Sequence, residues 1–336
     1  MQSQGLIDLQ VNGYAGIDFN DADLTAEALD HALRAMLRAG VTACLPTLIT
    51  ADEAILASRL HALDNAVTRS RLGPHMVPGF HLEGPFLNPA PGYAGCHPPP
   101  AMIPPDPSVL DRLTQRLRHP VLLLTLAPEQ PNALALIAHA RARGMIVAMG
   151  HTAASQEATA QAARAGVTLS THLGNALPQP QPKFLNPLMA QLACDELHAS
   201  FIADGIHVPP PALKVMMRAK TPDRCILVTD AVAAAGAPPG LYPFAGIVIQ
   251  HAPDGSVRLP GTATLAGSAL CLDQAVRNLV AWGLAAPTTA LAMASTHPAS
   301  LMARHRIVVP DGQVNWSETL HARRTILRGM VFDFTN

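Results

Sequence analysis

The sequence alternates short apolar runs with longer amphipathic segments, and this alternation restricts the fold more than any other feature. Apolar β-branched runs separated by helical patterns of Ala, Leu and Arg are typical of repeated βα units, which build a parallel sheet. Eight units within about 230 residues, and no GxGxxG or Walker sequence, favour a (β/α)8 barrel over a doubly wound sheet. We therefore predict the α/β class, with a (β/α)8 TIM-like barrel and a small β appendage. The predicted strands begin at Leu6, Val41, Met76, Val121, Met145, Val167, Ala199 and Cys225.

The segment between the first two runs carries the boundary residues of a helix. Thr25 precedes an Ala- and Leu-rich stretch with Glu27 early in it, which predicts a capped helix start. Gly40 follows this stretch directly before the next strand, as a helix-terminating glycine does. The Arg-Ala-Gly-Val sequence around Gly40 recurs at residues 164–167. The recurrence indicates that a second helix ends at a glycine directly before a strand.

Composition and charge restrict the class of partner. The chain has 336 residues, 49% of them apolar, and a formal net charge of −1 at pH 7. A chain of this kind can bury a large core, and near-neutrality without a basic run argues against nucleic acid or a membrane surface as partner. We therefore expect a small-molecule partner.

The cysteines and the first residues indicate the compartment. The five cysteines are odd in number and form no CxxC pair, so we expect reduced thiols. The sequence starts with MQSQGLIDLQ, which lacks the basic flank and apolar run of a signal peptide. No apolar stretch approaches the ~20 residues of a membrane span. These features predict a cytoplasmic protein.

Three segments interrupt the alternation. Residues 88–107 are proline-rich, which predicts an ordered loop over the barrel mouth. Residues 244–260 alternate around Pro-Asp-Gly, which predicts a β-hairpin inserted after the eighth strand. The end of the chain contains the strand-like runs IVV, QVNW, RTIL and MVFDF. We predict a barrel domain over residues 1–305, with the hairpin at about 244–260, and a β-like tail over 306–336.

Four polar residues lie where apolar strands end, namely Glu83, His151, His172 and Asp230. Each alone is more often a helix cap or a hydrogen-bonded structural group. In a barrel, however, the ends of all strands meet at one mouth, so the four side chains are expected to converge. One carboxylate and two neutral imidazoles form a typical catalytic site for a divalent ion such as Zn²⁺, which leaves Asp230 as the general base.

The order of several motifs makes a family resemblance specific. The chain resembles the N-acetylglucosamine-6-phosphate deacetylases of the amidohydrolase superfamily, and the match runs from Leu6 to about Ala303. The motifs are GFHLEGPFLN, MGHTAASQEA, THLGNALP, FIADGIHV, LVTDAVAAAG and LAGSALCLDQAVRNLV. The resemblance implies metal-dependent hydrolysis of the N-acetyl amide of an amino-sugar phosphate, giving glucosamine-6-phosphate and acetate. It also implies a homodimer, and it implies that the β-like tail is a reduced β appendage, the remnant of a small β domain.

The resemblance implies a role for each matching residue. Glu83, His151 and His172 resemble the metal ligands, and Asp230 resembles the acid/base that takes a proton from the attacking water and returns one to the departing amine. His207 would help to stabilise the developing oxyanion. For His97 and His207 the alternative is a loop histidine exposed to solvent. The segments that match sugar-contacting positions contain Cys96, His97, Asn175, Ala176, Leu265, Ala266 and Gly267.

Two departures from the family pattern bear on the chemistry. Many amidohydrolases carry His-x-His at the end of the first strand, where the two histidines hold a second metal, whereas this chain has Gln10 and Asn12. Amides are poor ligands, so we predict one divalent ion, Zn²⁺ or otherwise Fe²⁺, Co²⁺ or Mn²⁺. Lys183 stands where the family commonly has a phosphate-binding arginine, and lysine lacks the bidentate fork of arginine. An ordinary solvated lysine is the alternative for this position.

Other functions remain open at this point. The substrate could be N-acetylgalactosamine-6-phosphate, an unphosphorylated N-acetyl amino sugar, or another small amide. A non-catalytic sugar-phosphate-binding protein on the same barrel is a further alternative, although it would have no need for Asp230 or the predicted ligands.

Overall fold

The computed structural model of the protein describes residues 1–334. Its strands form one large sheet and three small ones. In chain order the strands are β1 (Gln2–Gln4), β2 (Leu6–Val11), β3 (Gly13–Tyr14), β4 (Ile17–Asp18), β5 (Val41–Ile49), β6 (Phe80–Glu83), β7 (Val121–Leu126), β8 (Ile146–Met149), β9 (Val167–Ser170), β10 (His198–Ile202), β11 (Cys225–Val228), β12 (Gly240–Phe244), β13 (Ile247–His251), β14 (Val257–Arg258), β15 (Gly312–Trp316), β16 (Ala322–Leu327) and β17 (Met330–Asp333).

The eight predicted strands form a nearly closed parallel barrel. They are hydrogen-bonded in chain order from β2 through β5 to β11. The last strand returns to the first, because Ala231 beyond β11 forms a parallel bridge with Val11 and the Asp230 N–H donates to the Gln10 carbonyl at 2.9 Å. All nine residues of β5 are buried, as expected for a strand covered on both faces. The fold prediction is confirmed.

Two predicted strand starts, Met145 and Ala199, differ by one residue from those of β8 and β10, and a third is wrong by four residues. β6 begins at Phe80 instead of Met76, because Gly73–Met76 form a short helical turn. Pro78 follows this turn and lacks the N–H that a ladder requires, so pairing starts only beyond it.

Helices surround the barrel and connect its strands. The first has the predicted boundaries, since the Thr25 hydroxyl accepts from the Ala28 N–H at 3.2 Å and Gly40 adopts a φ of +78° just before β5. Single 3₁₀ turns occur at Pro99–Ala101 and Pro222–Arg224. The helices are α1 (Ala26–Arg38), α2 (Glu53–Arg69), α3 (Gly73–Met76), α4 (Pro107–Thr114), α5 (Ala133–Ala142), α6 (Gln156–Ala165), α7 (Pro187–Ala193), α8 (Pro210–Lys220), α9 (Leu272–Ala281), α10 (Pro287–Ala294) and α11 (Thr296–Arg304).

The insertion after β11 is a three-stranded antiparallel sheet, β12-β13-β14. The predicted hairpin corresponds to β13 and β14, which pair around the Pro-Asp-Gly turn. The additional strand β12 was not predicted, and Phe244 belongs to it instead of to the following strand. The chain reverses at residues 245–246, where both Ala245 and Gly246 have positive φ.

The two ends of the chain share a four-stranded antiparallel sheet of order β1-β15-β16-β17. Three of the four runs predicted in the tail are strands, whereas residues 307–309, the IVV run, are not. β1 was not predicted, because its partner β15 lies some 310 residues away and a three-residue polar strand has no local pattern. The last two residues of the predicted tail, 335 and 336, lie outside the described residues. The division into a barrel domain and a tail stays a prediction.

Within residues 1–334, no helix combines the length and the apolar character needed to cross a membrane.

Candidate metal and substrate site

The four polar residues predicted at strand ends converge at the mouth of the barrel. Glu83 is the last residue of β6, while the other three lie just beyond β8, β9 and β11. His151, His172 and Asp230 have φ values of +50°, +30° and +48°, a region that non-glycine residues rarely adopt. Such strained backbone persists only where the surroundings fix it, and it concentrates at functional sites. Here it turns three side chains sharply into the mouth.

Glu83, His151 and His172 approach one another as closely as ligands of one ion. Glu83 Oε1 lies 3.0 Å from His172 Nε2 and 3.4 Å from His151 Nε2. The two Nε2 atoms are 3.2 Å apart. Two nitrogens bound at about 2.0–2.1 Å to a tetrahedral ion would be separated by about 3.3 Å. The donor set and its spacing therefore fit a divalent ion.

The second ring nitrogen of His151 supports the same assignment. His151 Nδ1 lies 2.8 Å from the Tyr93 carbonyl, which can only accept, so Nδ1 carries the proton and Nε2 keeps its lone pair in the neutral ring. A metal-binding histidine generally donates its other N–H in this way. Burial raises the pKa of Glu83, but the surrounding histidines His151, His172 and His97 outweigh this and hold it well below its ordinary value. Glu83 is therefore a carboxylate.

His97 is part of the same cluster. It is 4% exposed, its Nε2 lies 3.7 Å from Glu83 Oε2, and its Nδ1 lies 2.9 Å from the Thr50 hydroxyl. Burial lowers its pKa to about 4, so the ring is neutral. Ligand atoms of Glu83, His97 and His151 all lie within 4.8 Å of one another. The alternative of an exposed loop histidine is thus wrong for His97.

Asp230 lies beside the cluster in a network of amide donors. Its Oδ1 accepts from Gln10 Nε2 at 3.1 Å and from Asn12 Nδ2 at 2.8 Å. Gln10 Nε2 also lies 3.1 Å from Glu83 Oε1, so one amide connects the two carboxylates. Burial, and then the charge of Glu83, raises the pKa of Asp230 to about 6. From the sequence, Gln10 and Asn12 were noted only as poor metal ligands. Their role as hydrogen-bond donors was missed.

A cavity of about 390 Å³ opens above these side chains. Six of the predicted substrate-contacting residues besides His97 line it, whereas Ala266 is buried and does not line it. A larger cavity of about 640 Å³ lies elsewhere and contains none of the predicted site residues, so it does not compete as the site. The six are Cys96, Asn175, Ala176, His207, Leu265 and Gly267.

Comparisons with known proteins identify the family of the chain. The model of the amidohydrolase family matches residues 4–307. The chain belongs to the amidohydrolase family. It is 33% identical over 296 residues to the N-acetylgalactosamine-6-phosphate deacetylase of Escherichia coli O157:H7, covering 88% of this chain and 76% of the relative. It is 33% identical over 278 residues to the N-acetylglucosamine-6-phosphate deacetylase of Bacillus subtilis (strain 168), covering 82% and 68%.

The likeness of this amidohydrolase to a solved structure extends over almost the whole chain. A mutant of the Mycobacterium smegmatis N-acetyl-D-glucosamine-6-phosphate deacetylase, in complex with N-acetyl-D-glucosamine-6-phosphate, superimposes with a TM-score of 0.88 at 28% identity. The superposition covers 98% of this chain and 86% of the neighbour. The fold is therefore shared along almost the entire length.

His207 reaches the cavity of the amidohydrolase from the loop after β10. Its Nδ1 lies 2.6 Å from Asp204 Oδ2, and only 7% of its side chain is exposed. The exposed-histidine alternative is thus wrong here too. Asp204, which the sequence did not single out, also accepts the N–H groups of Ile206 and His207 at 2.8 Å. Asp204 therefore fixes the loop. Because it binds Nδ1, the Nε2 atom of His207 points away from Asp204.

Lys183 is not brought into the site. It is exposed on the loop before α7 and does not line the cavity. Its neighbours Phe184 and Leu185 are 75% and 83% exposed. Among residues 1–334, no lysine or arginine lines this cavity.

Proposed function

We propose that this amidohydrolase is a metal-dependent deacetylase that converts N-acetylglucosamine-6-phosphate into glucosamine-6-phosphate and acetate. The observation that carries the proposal is the convergence of Glu83, His151 and His172 with Asp230 at the base of a cavity. The relatives that act on acetylated amino-sugar phosphates support the substrate class. A cavity of about 390 Å³ is within the usual range for small ligands.

Glu83, His151 and His172 would hold one divalent ion, with Zn²⁺ as the first choice and Fe²⁺, Co²⁺ or Mn²⁺ as alternatives. When bound, the ion acts as a Lewis acid that polarises the acetyl carbonyl and activates water. The amide N–H groups of Gln10 and Asn12 point at the carboxylates of Glu83 and Asp230. N–H groups are donors and cannot bind a cation, so the groups that face these carboxylates offer no ligand to a second ion, which supports a single ion.

Asp230 would act as the acid/base. Gln10 and Asn12 both donate to Oδ1, which leaves Oδ2 to take a proton from the attacking water and to deliver one to the leaving amine nitrogen. Burial has raised its pKa towards neutrality, as suits a group that must both accept and release a proton.

The remaining predicted contacts would bind the sugar and the developing charge. His207, oriented by Asp204, would contact the oxyanion or the sugar. Cys96, His97, Asn175, Ala176, Leu265, Ala266 and Gly267 would shape the sugar subsite. We also propose that Lys183 binds the 6-phosphate after its exposed loop moves towards the cavity. The homodimer and the cytoplasmic location stay predictions.

A second candidate substrate has a specific observation in its favour. The cavity lining contains no lysine or arginine within the described residues, which suits an N-acetyl amino sugar without a phosphate. The galactosamine epimer is likewise supported by the Escherichia coli relative.

The test is acetate release from a panel of substrates, with metal analysis of the same sample. The panel contains N-acetylglucosamine-6-phosphate, its galactosamine epimer, N-acetylglucosamine and an N-acetyl amino acid. We expect the highest kcat/KM with the first and about one equivalent of metal per chain. Two tightly held equivalents would rule out the single ion. A preference for the acetyl amino acid would rule out a sugar deacetylase.

A further inference from the structure

Glu129 follows strand β7 by three residues and joins two segments that deliver site residues. Its Oε1 accepts from Asn88 Nδ2 at 2.8 Å and from the Ala153 N–H at 2.6 Å. Its Oε2 accepts from the hydroxyl of Thr152. Asn88 belongs to the segment after β6, while Thr152 and Ala153 directly follow His151. One carboxylate thus ties the loops after three successive barrel strands.

These contacts enclose His151 from both sides. The Asn88 N–H donates to the His151 carbonyl at 3.1 Å, while the two residues after His151 are bound by Glu129. His151 itself has a φ of +50°. A residue other than glycine holds this conformation only where neighbouring contacts impose it. Glu129 accepts from Thr152 and Ala153 on one side and from the Asn88 side chain on the other, so it holds both neighbouring segments.

The same carboxylate also fixes the loop that orients the imidazole. The segment starting at Asn88 continues to Tyr93, whose carbonyl lies 2.8 Å from His151 Nδ1, and then to His97. If Asn88 were released, both the backbone of His151 and the partner of its ring would be free to shift. Ion binding requires Nε2 to be placed within a few tenths of an ångström, so a small displacement matters.

We propose that Glu129 is a positioning residue, which sets the affinity for the ion by fixing His151 and its Tyr93 partner. The proposal rests on the proposed function only in taking His151 as a ligand of the ion. Glu129 touches neither the ion site nor the cavity above it. Any effect of Glu129 on metal affinity must therefore act through His151.

The experiment measures Zn²⁺ affinity of the metal-free protein by competition with a chelator, together with the rise in Tm on adding Zn²⁺. Glu129→Ala removes all three acceptor contacts, and we expect a 10- to 100-fold weaker Zn²⁺ affinity. Glu129→Gln keeps the shape and one oxygen acceptor, so it should restore most of the affinity. Glu157→Ala is the matched control, since Glu157 is exposed on α6 and accepts only from Gln161 Nε2 within the described residues.

The rise in Tm separates positioning from plain structural support. A ligand stabilises the folded protein according to its affinity, so Glu129→Ala should show a smaller rise on Zn²⁺ addition than the wild type and the control. If Glu129→Ala melts earlier but keeps the full rise and the wild-type affinity, the residue is structural only and the proposal is overturned. If Glu129→Ala does not fold, Thr152→Val removes one of the three contacts and is measured in the same way.

The outcome is separable from that of the substrate assignment. A wild type that binds Zn²⁺ but deacetylates none of the amino sugars would overturn the proposed function, while the affinity of Glu129→Ala would still decide the role of Glu129. A wild type that binds no ion in this assay would overturn both proposals.

Discussion

Two proline-rich segments border the same cavity, and only one of them delivers its predicted residues into it. The docked loop, residues 88–97, buries His97 3.7 Å from Glu83 and offers the Tyr93 carbonyl to His151. The open loop, residues 178–187, exposes Phe184 and Leu185 and leaves Lys183 outside the cavity lining. Both segments contain prolines, so proline content does not decide the difference. What differs is where the polar groups of each loop find partners.

The docked loop is bound to strand ends, and the open loop is bound mainly to itself. Asn88 contacts both Glu129 and His151, whereas the open loop uses local contacts such as Asn186 Nδ2 to the Pro182 carbonyl at 2.9 Å. We infer that residues of the strand ends and of the docked loop carry out the chemistry. The open loop then affects substrate recognition only. Substitutions should therefore have graded effects, largest at the strand ends and smallest in the open loop.

The largest effect is expected at Asp230. Asp230→Asn keeps the side-chain shape but removes the proposed base, so kcat should fall by about 10³-fold or more while the metal content is retained. Steady-state kinetics and metal analysis of one sample give both values. Asp254→Asn, the same change at an exposed turn residue, is the control and should keep full activity. Full activity in Asp230→Asn would show that the base lies elsewhere.

The pH dependence follows from the same residue. Burial, and then the charge of Glu83, raises the pKa of Asp230 to about 6, and a base must be ionised to act. Activity should therefore be full well above pH 6 and decline about tenfold per pH unit below it. The profile of kcat/KM measures this, with metal content determined at each pH. An acid limb that persists in the residual activity of Asp230→Asn would assign the titration to another group.

The sequence predicted what depends on local pattern. Glu83, His151, His172 and Asp230 were found because each follows an apolar run, and a parallel barrel places all such positions at one end. Glu129 also follows such a run, but three residues further along, and it was not identified. The pattern places a residue near the mouth but does not reveal which neighbour its side chain reaches.

The sequence could not predict contacts that depend on tertiary structure. The Tyr93 carbonyl is a backbone group, so its residue type does not predict that it contacts His151. Gln10 and Asn12 were recognised by the absence of histidine, and their donation to Asp230 appears only once β2 and β11 are adjacent. Lys183 was matched to an arginine by position alone, and the structure leaves it exposed.

An intermediate effect is expected at Gly95 in the docked loop. Gly95 has a φ of +62°, and an added Cβ would lie 3.1 Å from His151 Cε1. Gly95→Ala should therefore displace the imidazole and lower kcat/KM by about tenfold, in addition to a backbone cost of about 1–2 kcal/mol. Thermal melts and kinetics check this. The control Gly261→Ala has a φ of +75° but no heavy atom within 4 Å among the described residues, so it should lose stability only.

The smallest effect is expected at Lys183 in the open loop. An exposed point charge contributes little, so Lys183→Ala should raise KM for N-acetylglucosamine-6-phosphate by about tenfold at most, with kcat unchanged. N-acetylglucosamine itself should be used equally well by both proteins, and Lys214→Ala, at an exposed position of α8, should match the wild type. Equal losses on both sugars would show that Lys183 does not bind phosphate. Lys183→Arg sharpens the comparison further, because a bidentate fork on the same loop should lower KM for the phosphorylated sugar alone.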